Sequence, residues 1–302
     1  MYWNNLNANL KQEYGCKVYK LALSSGCSCP NRDGTISRGG CIFCDGAGAF
    51  ASAGPIAQQL AAAKALVAAK AGTQAKYIAY FQSFTNTYAP VATLRPLFAA
   101  ALAPNDIVAL SIATRPDCLG EEMMELLREL RSQKPIWVEL GLQTIHSVTA
   151  QRINRGYELE VYNTAVERLN AARITVVAHQ ILGLPGENKA MMVDTARYIG
   201  QSGAAGIKFH LLHVLRGTPL AQLWYHGECP TLEREEYIQI LAECLRHIPR
   251  SMVVHRLTGD GAKRDLLAPL WSADKKRVLN AIHQAFARDN LEQGSALGDR
   301  QW

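Results

Sequence analysis

Four of the eight cysteines lie close together near the start of the chain, and their spacing is typical of metal ligands. Cys41 and Cys44 form a C-x₂-C pair, whose short span lets two thiolates reach one metal ion or two irons of one cluster. Cys29 can return through a glycine-rich loop as a third ligand. Three thiolates suit a [4Fe–4S] cluster with one iron left open, or a zinc site that lacks one ligand.

Cys27 leaves two further interpretations open for this segment, the cysteine loop (Cys27–Cys44). With Cys27 as a fourth ligand the loop would form a closed Cys₄ zinc site, and without any metal the thiols would be buried packing groups. Structural zinc ligands usually come as two C-x₂₋₄-C pairs, whereas a single residue separates Cys27 from Cys29. The spacing therefore favours a cluster over zinc and over plain thiols.

The composition is that of a folded globular protein in a reducing compartment. Hydrophobic residues make up 48% of the 302 residues and charged residues 19%, which excludes a disordered or fibrous chain. The N-terminus lacks a signal-peptide pattern and no apolar run is long enough for a membrane span, so we expect a cytoplasmic protein without membrane contact. The net charge of +6 permits an anionic partner without requiring one.

Short β-rich runs alternate with longer helical runs, and this alternation predicts the elements that must position the thiols. The predicted strands are Lys17–Leu23, Lys76–Gln82, Ile107–Ile112, Ile136–Leu142, Ile174–Leu182 and Gly206–Leu212. The predicted helices are Ile56–Ala71, Leu119–Gln133, Glu158–Ala172, Asn188–Ser202 and Glu233–Ile248. Nearly continuous apolar strands suit a parallel sheet covered by helices, so the class is α/β, as a barrel-like or doubly wound sheet. Residues 1–215 form this domain, and 216–302, where the alternation stops, form a mainly helical extension packed on it.

Polar residues follow each predicted strand, at the edge where parallel α/β folds place their sites. After the first strand comes the cysteine loop, and the others are followed by Thr85–Tyr88, Thr114–Asp117, Gln143, Gly183–Glu187 and His213. Because the carboxyl ends of parallel strands share one edge of the sheet, six loops converge on a single mouth. That arrangement predicts an enzyme.

Several motifs make the chain resemble a known superfamily from about position 5 to 285. They are Cys29–Gly34, Gly40–Cys44, Tyr80–Tyr88, Thr114–Cys118, Glu139–Thr144, Ile153–Gly156, Gly183–Glu187 and His255–Gly261. Together with the barrel pattern they resemble the radical S-adenosylmethionine (SAM) superfamily. More specifically they resemble the YhcC-type family, which is related to the Elongator catalytic subunit and to the oxygen-independent coproporphyrinogen oxidases. The resemblance implies a partial (β/α)₆ TIM-like barrel.

The resemblance also implies a cofactor chemistry. It selects Cys29, Cys41 and Cys44 as ligands of a [4Fe–4S] cluster and leaves Cys27 as a spare thiol. The open iron would chelate the amino and carboxylate groups of SAM, and an electron from a flavodoxin or ferredoxin would split SAM into methionine and a 5′-deoxyadenosyl radical. That radical abstracts hydrogen from a substrate.

Seven residues match positions that surround SAM in the related families: Phe43, Gln82, Thr114, Gln143, Arg155, Gly183 and Gly186. Gln143 and Arg155 would contact the ribose and carboxylate, and Phe43 would shield the cluster. Two departures from the pattern stand out. The Gly-Gly-Glu motif after the second strand is absent, so Gln82–Thr87 must receive the amino group differently, and Ala113 stands where Elongator relatives have an acid.

Four residues are candidates for substrate chemistry: Glu139, Lys208, His213 and Cys118. Strand alternation directs Glu139 into the mouth, and Lys208 lies in an apolar strand, where a lysine needs a partner or a ligand. Cys118 and His213 follow strand ends, although a packing thiol and a core histidine are the plainer interpretations. Arg256 and Asp260 are expected to form an ion pair or to close the pocket.

The substrate is the least determined part of the prediction. Resemblance to Elongator and to MiaB-type enzymes favours tRNA, with a wobble-uridine side chain as the target. The basic run Lys275–Arg277 is more simply explained as a solvated helix face than as an RNA contact. A small metabolite or a protein is an alternative substrate. Two other classes are alternatives: a zinc-stabilised binding protein, and a nucleic-acid-binding module suggested only by the net charge.

Overall fold

A seven-stranded parallel sheet is the framework of the protein. The computed structural model describes residues 2–45, 54–72, 74–259 and 263–298. The strands are β1 (Val18–Leu23), β2 (Lys76–Phe81), β3 (Ile107–Thr114), β4 (Ile136–Gln143), β5 (Thr175–Leu182), β6 (Gly206–Leu211), β7 (Val214–Leu215), β8 (Val253–Arg256) and β9 (Leu266–Ala268). The main sheet runs β1-β2-β3-β4-β5-β6-β8, with every neighbouring pair parallel, while β7 and β9 form a separate antiparallel pair. Because the strand order never reverses, the sheet curls into a half-barrel rather than the doubly wound alternative.

The six strands predicted from the sequence are confirmed, each to within two residues at either end. The seventh strand of the sheet, β8, lies in the segment predicted as a helical extension and pairs with β6 at Ile207 and Val254. Its four residues are too few to give a periodic signal. The extension is therefore helical in the main, as predicted, but it also completes the sheet.

Helices pack around the half-barrel. They are α1 (Leu6–Tyr14), α2 (Ile56–Val67), α3 (Val91–Leu102), α4 (Glu121–Arg131), α5 (Ser147–Arg152), α6 (Leu159–Ala171), α7 (Lys189–Gln201), α8 (Pro219–Tyr225), α9 (Arg234–Arg246) and α10 (Lys275–Arg288). The five predicted helices are among them. Helix α3 escaped prediction because Pro90 precedes it and Pro96 lies within it, and proline usually ends a helix. No helix of the described residues is both long and apolar enough to cross a membrane.

The two faces of the sheet differ in chemistry. Residues that face the helices, such as Ala79, Leu110 and Leu140, are fully buried in the large apolar core. The intervening residues face the concave side, which we call the lumen, and in the middle of the strands they are polar. At the amino ends of the strands the lumen is closed, because Leu10 of α1 packs there against Ile78. The lumen therefore opens towards the carboxyl ends, as the sequence predicted.

Candidate active site

The cysteine loop is held in place by an asparagine pair. The side chain of Asn31 donates to the carbonyl of Asn154, and the side chain of Asn154 donates to the carbonyl of Gly40 at 2.8 Å. The backbone N–H of Ile42 donates to the carbonyl of Ile153 at 3.1 Å. The segment after α5 thus binds the loop shortly after Cys29, at Asn31, and on both sides of Cys41, at Gly40 and Ile42. The motif Ile153–Gly156 therefore positions the predicted ligands through hydrogen bonds to residues that flank them.

Gly156 allows the closest approach within this clamp. Its φ is +78°, and a Cβ at this position would lie 2.8 Å from Oδ1 of Asn31 and 3.1 Å from Ile36. Asn31 is fully buried, and its Oδ1 has no hydrogen-bond partner within the described ranges. Only a residue without a side chain satisfies both the left-handed backbone and this contact.

The thiols of the loop are free and face hydrogen-bond donors. None of the eight cysteines is in a disulfide. Arg32 Nη1 lies 3.4 Å from Cys44 Sγ, and Asn31 Nδ2 lies 3.7 Å from Cys41 Sγ. Burial, assisted by the neighbouring thiols of Cys44 and Cys29, raises the pKa of Cys41 to about 11, while Arg115 acts in the opposite direction. In the described part of the chain, no three His, Cys, Asp or Glu side chains are grouped closely enough to hold a single metal ion.

Two arginines and a tyrosine form the wall beside the loop. The guanidinium groups of Arg115 and Arg155 lie 5.0 Å and 4.4 Å from the centre of the Tyr157 ring. Arg115 binds Asp117 through two hydrogen bonds, at 2.9 Å and 2.6 Å, and donates to the carbonyl of Arg155 at 2.8 Å. Arg155, almost fully buried, gives its own N–H groups to main-chain carbonyls, including that of Thr144 at 2.6 Å. Its positive charge remains beside the thiols while its donors hold the backbone.

The other predicted SAM contacts surround the same mouth. Gln143 has a φ of +66°, and its amide, oriented to donate, reaches the carbonyls of Leu142 and Gly141 at the end of β4. Gly183 and Gly186 have φ of +91° and +85°. Phe43 packs in a small apolar cluster with Ile153 and Leu184, Thr114 shares a 2.6 Å hydrogen bond with Thr87, and Gln82 follows β2. Their contact with SAM stays a prediction.

A buried carboxylate occupies the middle of the lumen. Glu139 of β4 has no exposed surface, and each of its oxygens binds more than one partner. The partners, from five other strands, are Lys20 (2.7 Å), Ser111 (2.8 Å), Tyr80 (2.9 Å), His179 (2.7 Å) and Lys208 (2.8 Å). Lys208 also donates to the hydroxyl of Tyr80 at 2.7 Å. The sequence predicted Glu139 and Lys208 separately, and the structure brings them together.

In the cluster formed by Lys20, Tyr80, Glu139, His179 and Lys208, the surroundings shift the pKa of Glu139, His179 and Lys208. Burial works against ionisation of Glu139, but the charges of Lys20 and Lys208 outweigh it and hold the pKa of that carboxyl well below its usual range. Burial lowers the pKa of Lys208 to about 7, although Glu139 opposes the shift. Burial and the charge of Lys208 also lower the pKa of His179 to about 4. The carboxylate is therefore ionised at neutral pH and His179 is neutral.

Sequence reasoning missed several members of this lumen. Lys20, Tyr80, Ser111 and His255 were not singled out as a site, although strand alternation directs all of them inward. His255 of β8 lies 3.5 Å from the ammonium of Lys20, across the open side of the half-barrel. The detectable signal was a second lysine within a β-run, at position 20. Which inward residues meet across strands depends on register, which one sequence does not reveal.

Cys118 and His213 lie elsewhere. Cys118 lines an open groove of about 760 Å³ beside the cysteine loop, with Thr35, Tyr88 and Glu121. Burial and the charge of Asp117 raise the pKa of its thiol to about 12, so it is a protonated thiol at neutral pH. His213 follows β6 and packs close to Gly259. Arg256 acts electrostatically on Lys208, and the predicted partner Asp260 lies outside the described residues.

Comparison with known proteins shows to which family this chain belongs. A family model described as the Radical SAM superfamily matches residues 29–199, and one described as the Radical_SAM C-terminal domain matches 204–288. The chain belongs to the radical SAM superfamily. As a member of it, the protein is an enzyme. The first match begins at Cys29, the first of the three predicted ligands, and extends over β2 to β5, while β1 lies before it.

Close relatives support a narrower placement. The chain is 42% identical over 295 residues to YtqA of Bacillus subtilis, covering 97% of this chain and 92% of that one. It is 38% identical over 300 residues to YhcC of Escherichia coli, covering 99% and 96%. The expected YhcC-type family is thereby confirmed.

More distant relatives share the fold or part of the chain. A solved structure of archaeal Elp3 from Methanocaldococcus infernus aligns with a TM-score of 0.71 at 17% identity, over 91% of this chain and 64% of that one. A tRNA uridine(34) acetyltransferase of Methanocaldococcus jannaschii is 29% identical over 156 residues, which are 51% of this chain and 28% of that protein. This radical SAM half-barrel is thus shared with a much longer protein.

The clamp on the cysteine loop predicts a specific cost for a methyl group at position 156. Gly156→Ala should destabilise the protein by about 1–3 kcal/mol more than Gly227→Ala, because only the former brings Cβ against Asn31. The two glycines have nearly equal φ, +78° and +76°, and a Cβ at Gly227 would have nothing within 4 Å. The free energy of unfolding in urea measures the difference, and equal losses would show that Gly156 is needed for its backbone angle alone.

Proposed function

We propose that this enzyme holds a [4Fe–4S] cluster through Cys29, Cys41 and Cys44 and binds SAM beside it at the mouth of the half-barrel. The observation that carries the proposal is the donor set of the cysteine loop. Two of the thiols face N–H donors, at Arg32 and Asn31, and such donors favour thiolate ligands and adjust their potential. Three thiols that bind different irons stand further apart than three ligands of one ion, so the cluster does not require a compact grouping.

The remaining cysteine of the loop fits the spare position. Burial raises the pKa of the Cys27 thiol, which keeps it protonated at neutral pH. Burial also raises the pKa of the Cys41 thiol, while the charge of Arg115 and the hydrogen bond from Asn31 act to lower it. Both thiols are protonated at neutral pH and both have neighbours that favour ionisation, so the choice of Cys27 as the spare thiol rests on the match of Cys29, Cys41 and Cys44 to the superfamily motif.

The chain's own residues prepare the mouth for a charged cofactor. Arg115 and Arg155 supply positive charge next to the loop, which suits the carboxylate of SAM and an anionic cluster. We assign Gln143, Gly183 and Gly186 to the ribose and base of SAM, since left-handed backbone brings main-chain groups close to a ligand. When bound, the cluster and SAM supply a 5′-deoxyadenosyl radical that abstracts hydrogen from a substrate in the lumen.

The cofactor assignment predicts the behaviour of cysteine variants. Protein reconstituted anaerobically with iron and sulfide should absorb broadly in the visible range and, with dithionite and SAM, release 5′-deoxyadenosine. The triple variant Cys29→Ala/Cys41→Ala/Cys44→Ala should lose both properties, whereas Cys27→Ala should keep both. SAM cleavage by the triple variant would overturn the assignment. One zinc per chain without sulfide, lost in Cys27→Ala, would instead favour the zinc-stabilised binding protein.

We propose tRNA as the substrate, with a uridine side chain as the target. The proposal is supported by the identity shared with a protein named tRNA uridine(34) acetyltransferase, over half of this chain. Hydrogen-bonding side chains from several strands face the lumen, as recognition of a polar nucleoside substituent requires. An electron donor of the flavodoxin or ferredoxin type would serve the cluster.

The substrate assignment predicts a change in the modified nucleosides of tRNA. In a strain that lacks the gene, mass spectrometry of digested tRNA should show one modified uridine missing and a precursor in its place. A plasmid with the wild-type gene should restore the parental profile, and one with the triple cysteine variant should not. Identical nucleoside profiles in the deletion strain and its parent would exclude tRNA and direct attention to a metabolite or protein substrate.

A further inference from the structure

The positive charges of the lumen exceed its negative ones. Lys20 and Lys208 come from strands at opposite sides of the half-barrel, and among the described residues both form their ion pairs with Glu139. One carboxylate therefore serves two ammonium groups. Lys208 is almost fully buried, so water cannot compensate its charge as it does at the surface.

Two polar groups in the lumen also have hydrogen-bonding positions that are not used. An ammonium group has three N–H donors, and within the described ranges Lys208 uses two of them, on Tyr80 and Glu139. Nε2 of His210, two residues further along β6, is shielded from solvent and has no hydrogen-bond partner there either. The ring of His210 lies 5.0 Å from that of His179. A surplus charge and two unused polar positions thus occur side by side on one strand.

We propose that the lumen contains a binding site for an anionic group, a carboxylate or a phosphate, held by Lys20, Lys208 and His210. This site rests on the proposed function in one respect, since the group would belong to the substrate that the mouth admits. The anion would neutralise the second ammonium group and accept hydrogen bonds from Lys208 and from Nε2 of His210. Lys20 and His179 keep 22% and 16% of their side-chain surface exposed, so solvent reaches the cluster on their side, while Lys208 lies deeper with 5% exposed.

The pKa of Lys208 gives the expected pH dependence. At about 7, it leaves Lys208 mostly charged below neutral pH and mostly neutral above it. An anion prefers the charged form, so its affinity should rise as the pH falls through this range. The groups that face Lys208 are Lys20 (β1), Tyr80 (β2), Glu139 (β4), His179 (β5), His210 (β6) and both His255 and Arg256 (β8). Of these, burial keeps His179, His210 and His255 neutral, because it lowers the pKa of each.

Simple anions test the site without any turnover. The melting temperature of the whole protein is measured with sodium acetate or sodium phosphate replacing sodium chloride at constant ionic strength. We expect a concentration-dependent rise, larger for acetate at lower pH, from which a dissociation constant follows. Lys20→Met and the charge-matched double variant Glu139→Gln/Lys208→Met should each weaken the fitted affinity about tenfold or more. The exposed-lysine control Lys276→Met should leave it unchanged.

The outcomes separate this site from the cofactor assignment. The triple cysteine variant should retain the anion effect, because the lumen does not include the cysteine loop. An unchanged melting temperature in both anions, with SAM cleavage intact, would overturn the lumen site alone. If saturating SAM abolishes the acetate effect, the bound group is the carboxylate of SAM and the assignment to the substrate is wrong. The acetate and phosphate arms show which of the two groups the site prefers.

Discussion

Burial of the Glu139 carboxylate is the constraint on which the inner side of the half-barrel depends. A carboxylate without exposed surface is costly unless charged and hydrogen-bonding partners surround it. Here the partners come from β1, β2, β3, β5 and β6, so one side chain ties β4 to five other strands. The register of the sheet is thereby coupled to the chemistry of the lumen, because a slip by one residue would turn a strand's partner outwards.

The lumen is layered from its closed end to its mouth. An apolar layer around Leu10 and Ile78 closes the amino ends of the strands. The charged cluster around Glu139 occupies the middle, and the cysteine loop and the two arginines on Tyr157 lie at the carboxyl ends. From the mouth inwards, the order is therefore the thiols, then the charged layer, then the apolar layer.

Much of the framework could be predicted because parallel strands buried on both faces leave nearly continuous apolar runs, as at Ile107–Thr114. The cysteine spacing identified the loop, strand alternation identified Glu139, and a lysine within an apolar strand identified Lys208. Register between strands is not visible in one sequence, so the convergence of Lys20, Tyr80 and Ser111 on Glu139 was not predicted. Cys118 and His213 were selected by their position after strands, but the direction of a side chain there depends on turn geometry.

A double-mutant cycle between Glu139 and Lys208 tests the central claim most directly. Glu139→Gln should lower the free energy of unfolding by about 3–5 kcal/mol, because it leaves two buried ammonium groups without their carboxylate. Lys208→Met should lower it by less, because Lys20, Tyr80, Ser111 and His179 still bind the carboxylate. The double variant should lose clearly less than the sum, with a coupling energy of about 1–3 kcal/mol in urea unfolding at a pH below 7, where Lys208 is charged. Additive losses would contradict the account, since they would mean that the two groups do not stabilise one another.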